Sequence, residues 1–264
     1  MPYLPLTSER IPPTLRVDAL SRLLVLVALL AGLLPVAAAA STVNIAVASN
    51  FRSTMEDLVD TYRQHSGQTL RPAYGSTGKL YAQIRHGAPF AALFAADTET
   101  PARLVREGHA LPDTQFIYAR GRLVLWSPQP GLVDGEGRVL QQGGFRRLAI
   151  ANPKLAPYGR AAEDVMQALG VWQVLQPRLV RGENVGQAFQ YVASGAAELG
   201  FVAASQLDRG KPAGSVWYPP PSLYTPILQS AVMLQESPQV RAFFRFVRSE
   251  AGRAIIRQHG YDTP

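Results

Sequence analysis

From residue 43 onward, short apolar runs alternate with segments whose apolar residues recur every three or four positions. VNIAVAS (43–49) reads as a buried strand. In the next segment Met55, Leu58, Val59 and Tyr62 fall at i, i+3, i+4 and i+7, one face of a helix that Gly67 ends. TLRPAY (69–74) predicts a second strand, and Leu80, Tyr81 and Ile84 a second helix stopped by Gly87. AALFAAD (91–97) and RLVLWSP (122–128) are further strands, followed by a Gly-rich polar excursion between Gly131 and Gly144. RLAIAN (147–152) leads through PKLAPYG into a helix carrying Ala161, Ala162, Val165, Met166 and Leu169. RLVRG (178–182) precedes a helix with Val185, Ala188, Phe189 and Val192. LGFVAAS (199–205) and AVML (231–234) complete the strands; PPPSLYTP (219–226) is too proline-rich to be regular, and two helical segments span 238–258. Strands alternating with helices predict an α/β architecture with largely parallel sheets.

The first forty residues do not fit this pattern. Residues 1–22 carry Arg10, Arg16 and Arg22, then LLVLVALLAGLLPVA (23–37) and a run of alanines ending at Ala40 follow. A basic start, an apolar run too short for a span of about 20 residues, and small residues after it predict a cleaved signal peptide over 1–40. With no cysteine in the chain there is neither a disulfide nor a lipidation point, so the exported protein is expected to be free in its compartment. The formal charge is +7, and removing three arginines, Glu9 and Asp18 with the leader leaves +6. That balance favours anionic partners, but the basic residues are scattered singly, which argues against nucleic acid. His65, His86, His109 and His259 are far apart, without metal-ligand spacing, and are expected mostly at the surface.

One arrangement recurs. A strand ends, small polar residues follow, and an amphipathic helix begins, at Ser49-Asn50, Gly75-Ser76-Thr77-Gly78, Ala156-Pro157-Tyr158-Gly159 and Asn184-Val185-Gly186. In open α/β sheets such junctions gather where ligands bind, and helix N-termini offer unpaired N–H groups to anions. Apart from Arg52, Lys79 and Glu183 nearby, the junctions carry no charge. Neutral donors alone suit a fully deprotonated oxyanion and reject protonated ones, whose O–H needs an acceptor. Taken singly, each junction reads as an ordinary N-cap or turn; four of them in one chain are less easily dismissed.

Other chemistries fit less well. A Walker-type loop fails because Ala73 stands where its first glycine belongs and Leu80 follows Gly78-Lys79. No G-x-S-x-G elbow occurs. Glu56-Asp57 and Glu163-Asp164 read as acids in the first turns of helices, and Trp126 as core. No nucleophile–base pair emerges, so the chain is not expected to be an enzyme and no cofactor is implied.

VASNF, YGSTGKLYAQIRHGAP, FAAD, YARGRLVLWSP, IANPKLAPYGRAAEDVMQALG, ENVGQAFQYVASGAAELGFVAASQ and RSEAGRAIIRQHGY together resemble the periplasmic molybdate-binding proteins of ABC importers. The similarity covers about residues 43 to 261 in the family's order. It implies a type II periplasmic binding protein: two α/β lobes with mixed five-stranded-type sheets, joined by two crossover strands. Lobe I is then 41–124 plus 228–264, and lobe II 125–227. Carried over by position, the ligand contacts are Ser49, the backbone N–H of Asn50, Thr77, Tyr158 and the backbone N–H of Val185, with Ser76 a weaker candidate. One branch of the family has a tyrosine in the strand G-[IF]-V-Y; here that place is Ala203, and Tyr158 is expected to supply the phenol instead.

The resemblance thus implies a periplasmic, monomeric carrier of molybdate, with tungstate as a second ligand. Its molybdenum is held only as the oxyanion, and its partner is an inner-membrane ABC permease with a cytoplasmic ATPase. The alternative is a carrier for another tetrahedral oxyanion such as sulfate. Lys79 is expected to be a solvated helix residue that contributes field rather than contact.

Overall fold

The computed structural model describes Met1 and residues 43–207 and 213–264. The expected leader peptide, 1–40, lies outside the described residues apart from Met1. Two five-stranded sheets form the framework. The first has the order β2 (Leu70–Gly75), β1 (Val43–Ala48), β3 (Ala92–Ala95), β10 (Ile227–Met233), β4 (Phe116–Gly121). The second has the order β7 (Leu179–Gly182), β6 (Leu148–Ala151), β8 (Leu199–Ala203), β5 (Leu123–Ser127), β9 (Ser215–Trp217). The chain leaves the first sheet between Gly121 and Leu123 and returns between Trp217 and Ile227.

Each sheet is parallel on one side and antiparallel on the other. β1 pairs in parallel with β2 and β3, and β6 with β7 and β8, whereas β10 and β5 run antiparallel to their neighbours. The prediction of largely parallel sheets is corrected here. Strand–helix alternation dictates parallel pairing only within each βαβ run, and the strands that cross between sheets enter from the opposite end. β4 and β9 carry too weak a pattern to announce themselves: FIYARG is interrupted by Arg120, and SVW is three residues long.

The helices are α1 (Arg52–Ser66), α2 (Thr77–Arg85), α3 (Glu99–Arg106), α4 (Val139–Gln142), α5 (Pro157–Ala168), α6 (Trp172–Leu175), α7 (Val185–Ala193), α8 (Pro238–Arg248) and α9 (Glu250–Gln258). α1 ends as expected: Gly67, at φ 69°, takes the left-handed cap that only glycine adopts at little cost. Its face of Met55, Leu58, Val59 and Tyr62 packs against Phe94, Phe243 and Val247 in the core of the first sheet. In the second sheet Leu123, Leu125, Ile150, Val165, Met166 and Phe201 form the corresponding core. Trp126 is core, as expected; its ring stacks on Phe189 at 5.2 Å and its N–H reaches the Ala213 carbonyl at 2.9 Å.

The paired acids sit differently from the prediction. Neither α1 nor α5 has an acid in its first turn, because both helices begin earlier than the apolar pattern suggested. The acids instead hold neighbours in place. Asp57 meets His259, Glu56 meets Arg52, and Asp164 accepts from the Thr225 N–H at 3.0 Å. His259 is the exception among histidines expected mostly at the surface: it is buried. Among the described residues no helix is long and apolar enough to cross a membrane.

Candidate functional site

The four junctions lie at the carboxyl ends of β1, β2, β6 and β7, each opening into a helix or a 3-10 turn. Ser49 begins a 3-10 turn directly after β1, Thr77 and Val185 are the first residues of α2 and α7, and Tyr158 is the second residue of α5. Ser76 and Asn184 are N-caps, accepting from the backbone N–H of Lys79 and Gln187 at 3.4 and 3.0 Å. The cap reading of those two residues is therefore correct as far as it goes.

Hydrogen bonds tie the junctions to one another across the two sheets. The Gly186 N–H donates to Ser49 Oγ at 3.3 Å, joining the first junction to the fourth. The Gly78 N–H donates to the Leu155 carbonyl at 2.9 Å, joining the second to the third. A β-carbon on Gly78 would come within 3.0 Å of that carbonyl oxygen, so glycine is what permits the approach. Asn50 and Tyr158 are linked through one side chain, Gln229 on β10.

The hydroxyls at these junctions share a polarity. Ser49 Oγ accepts from Gly186, Ser76 Oγ from Lys79, Thr77 Oγ1 from the Ala96 N–H at 3.0 Å, and Tyr158 OH from Gln229 Nε2 at 3.4 Å. Among the described residues Ser49, Ser76 and Thr77 donate to no protein group, while the Tyr158 phenol also interacts with that of Tyr261. Each hydroxyl has one hydrogen, so accepting from a fixed N–H leaves that hydrogen available to a bound acceptor. Thr77 and Tyr158 are each 2% exposed and Val185 3%.

Behind them lies a buried polar network that the sequence reading did not identify. Asn50 Nδ2 donates to Gln229 Oε1 at 2.8 Å and to Tyr261 OH at 2.9 Å. Tyr261 OH donates to the Asn50 carbonyl at 2.8 Å and lies 2.8 Å from Ser205 Oγ. Tyr118 OH is shared between the Ala95 carbonyl and Gln229 Oε1, at 3.0 and 3.1 Å. Burial pushes the Tyr118 and Tyr158 phenols well above their usual range and that of Tyr261 up to about 12, so all three stay protonated at neutral pH. Asn50, expected to act through its backbone N–H, thus has both hydrogens of its side-chain amide committed. A polar residue inside PILQSAVML was the available signal for Gln229, since buried polar residues in apolar strands are the informative exceptions.

At the first and fourth junctions a cavity of about 540 Å³ is lined by Ser49, Asn50, Arg52, Tyr74, Asn184 and Gly186, among others. The Arg52 guanidinium lies over the Tyr74 ring at 3.9 Å. Only Ser49 and Asn50 of the expected contact residues reach this cavity; Thr77, Tyr158 and Val185 do not line it. Lys79 is solvated on its helix as expected, and its Nζ also bonds Glu183 Oε2 at 2.6 Å, between the units of the two sheets. Arg160 makes a second such pair, 3.3 Å from Asp97 and 3.9 Å from Glu99. Burial raises the Asp97 carboxyl above its usual range, opposed by hydrogen bonds from Thr100 and by Arg160. Among the described residues no group of three or more His, Asp or Glu comes together to hold a cation.

Two mixed α/β sheets joined by two crossings, with uncharged strand-end junctions converging between them, define a binding protein of the clamshell class. The bacterial extracellular solute-binding protein family matches residues 43–262, and the chain belongs to that family. It is 44% identical over 248 residues to the molybdate-binding protein ModA of Azotobacter vinelandii, covering 92% of this chain and 98% of that one. To ModA of Rhodobacter capsulatus it is 43% identical over 256 residues, covering 96% and 98%. Its fold resembles the solved Azotobacter vinelandii periplasmic molybdate-binding protein with a TM-score of 0.82 at 41% identity, covering 84% of this chain and 99% of that structure.

Proposed function

We infer that the protein captures molybdate outside the cytoplasm and delivers it to an ABC import permease coupled to a cytoplasmic ATPase. One observation carries this reading: the junction hydroxyls of Ser49, Ser76, Thr77 and Tyr158 each accept from a protein N–H group, so that each has a hydrogen to offer a bound anion. A site of this kind binds an anion that only accepts hydrogen bonds, as molybdate does at neutral pH. The high identity to two relatives named as molybdate-binding proteins supports the choice of oxyanion. Tungstate, of the same charge and nearly the same size, is the second ligand.

The contacts are Ser49 Oγ, the Asn50 N–H, Thr77 Oγ1, Tyr158 OH and the Val185 N–H, with Ser76 Oγ at the margin. The lobes are 41–124 with 228–264, and 125–227, and closing them buries the anion among these donors and presents the closed form to the permease. Residues 1–40 act as the export signal, and the mature protein works as a periplasmic monomer. Binding is the whole activity, with no chemistry performed on the anion.

Calorimetric titration with molybdate, tungstate, sulfate and phosphate tests the reading. Micromolar or tighter binding of the first two alone is expected. Absence of both heat and thermal shift with molybdate sinks it, and preferential binding of sulfate favours the alternative carrier.

A further inference from the structure

We propose that Gln229 is a positioning residue that sets which anions the site accepts, by fixing the Tyr158 phenol as a donor. This inference rests on the oxyanion reading above. The chain of bonds starts at a group that cannot turn round, the Asn50 backbone carbonyl. Tyr261 OH donates its only hydrogen there, at 2.8 Å. Its oxygen then accepts from Asn50 Nδ2 at 2.9 Å, while Ser205 Oγ, 2.8 Å away, donates to the same Asn50 carbonyl at 3.2 Å. That fixes the orientation of the Asn50 amide, whose second hydrogen goes to Gln229 Oε1 at 2.8 Å. Tyr118 OH faces the same oxygen at 3.1 Å.

Turning the Gln229 amide over would set its N–H₂ against the Asn50 N–H₂, so the amide is held one way round. Its Nε2 therefore faces Tyr158 and donates to the phenol oxygen at 3.4 Å. Tyr261 OH already accepts from Asn50 Nδ2 at 2.9 Å and is a neutral competitor for the Tyr158 hydrogen. A bound oxyanion, the stronger acceptor because it is charged, takes that hydrogen. The polarity of the site is relayed from a backbone carbonyl through Tyr261, Asn50 and Gln229, all of them buried.

Local geometry supports a built arrangement. The pairing of β10 with β4 shifts register between Gln229 and Ser230, and both Tyr118 and Ala119 of β4 are buried there, breaking the usual in–out alternation. Irregularities of this type re-aim side chains beside functional sites. Here both Tyr118 and Gln229 point into the network.

The test is a double-mutant cycle. Wild type, Gln229→Met, Tyr158→Phe and the double variant are titrated with molybdate at fixed ionic strength, each with a thermal melt. Gln229→Met is expected to weaken binding by about tenfold or more with Tyr158 present, and by less than about threefold once Tyr158→Phe has removed the phenol hydrogen. A residue that only supports the fold weakens both backgrounds equally, and that result overturns the proposal.

Gln229→Glu gives an independent readout between pH 6 and 9. Protonated, its carboxyl can still donate to the phenol oxygen; ionised, it takes the phenol hydrogen for itself. Its molybdate affinity should fall as pH rises across that window while wild type stays flat, and a flat Gln229→Glu profile counts against the relay. If Gln229→Glu does not fold, the cycle decides alone. If wild type binds none of the oxyanions, the proposed function fails and the relay with it; tight wild-type binding with additive variants overturns the relay alone.

Discussion

Gly121 stands so close to Tyr158 that a β-carbon on it would lie 2.1 Å from the phenol oxygen and 2.7 Å from Gln229 Nε2. The bare glycine backbone at the end of β4 is thus the floor on which the amide and the phenol meet, at the place where the chain leaves the first sheet. Gly121→Ala should push the two apart. We expect a loss of molybdate affinity of about tenfold or more, on the scale of one charge-assisted hydrogen bond. Calorimetry reads the affinity and circular dichroism checks that the fold survives. Wild-type binding by this variant would show that the Gln229–Tyr158 bond is dispensable.

Much of this architecture was legible because strand–helix alternation leaves a strong hydrophobic rhythm. β1, the end of the helix at Gly67 and the two closing helices fell where the pattern put them. The junctions were legible too, since small polar residues between an apolar run and an amphipathic one have few other uses. What could not be read is what lies far apart in sequence. Asn50, Gln229 and Tyr261 meet across separations of 179 and 211 residues, and no local pattern encodes that meeting. The Lys79–Glu183 pair escaped for the same reason, spanning 104 residues. The antiparallel halves of the sheets depend on where the chain crosses, which periodicity does not record.

Thr77 serves both the fold and the site. Its Oγ1 accepts from the buried Ala96 N–H at 3.0 Å while its hydrogen is free to donate. Thr77→Ala leaves that N–H without a partner and removes a donor, so it should cost about 1–3 kcal/mol in binding and lower the melting temperature. Thr77→Ser, which keeps the hydroxyl, should bind within about threefold of wild type. Equal losses from both substitutions would point to the methyl group, and unchanged affinity in Thr77→Ala would reduce Thr77 to a turn residue.

Lys79 and Glu183 bridge the two sheet units, but each side chain is about half exposed (48% and 58%). Exposed pairs contribute about 0–1 kcal/mol and are screened by salt. Glu183→Gln should therefore change molybdate affinity by less than about fivefold at low salt, and the difference should vanish near 1 M salt. Stopped-flow rates would locate any effect in release if the pair holds the closed form. A large salt-independent loss would mean Glu183 touches the site itself.

Thr54, near the start of α1, keeps a buried hydroxyl that has no hydrogen-bond partner among the described residues. Replacing such a group by an apolar one of the same shape is close to neutral or stabilising. Thr54→Val should raise stability toward urea by up to about 1 kcal/mol and leave anion binding unchanged. Destabilisation beyond that, or weakened binding, would reveal a partner for the hydroxyl.

The buried phenols give the protein an alkaline limit. Burial raises Tyr118, Tyr158 and Tyr261 above the 10.0 of a free phenol, Tyr261 to about 12. A group that holds its proton more tightly when folded contributes stability that is complete below the unfolded pKa and is lost as pH rises through the folded one. Folding stability should therefore be flat with respect to these groups up to about pH 9 and fall between about pH 10 and 12, by roughly 2–3 kcal/mol from Tyr261 alone. Tyrosinate absorbance followed alongside circular dichroism checks this. The buried phenols should ionise only together with unfolding, and their titration near pH 10 in a still-folded protein would mean that the network around Gln229 is open to water.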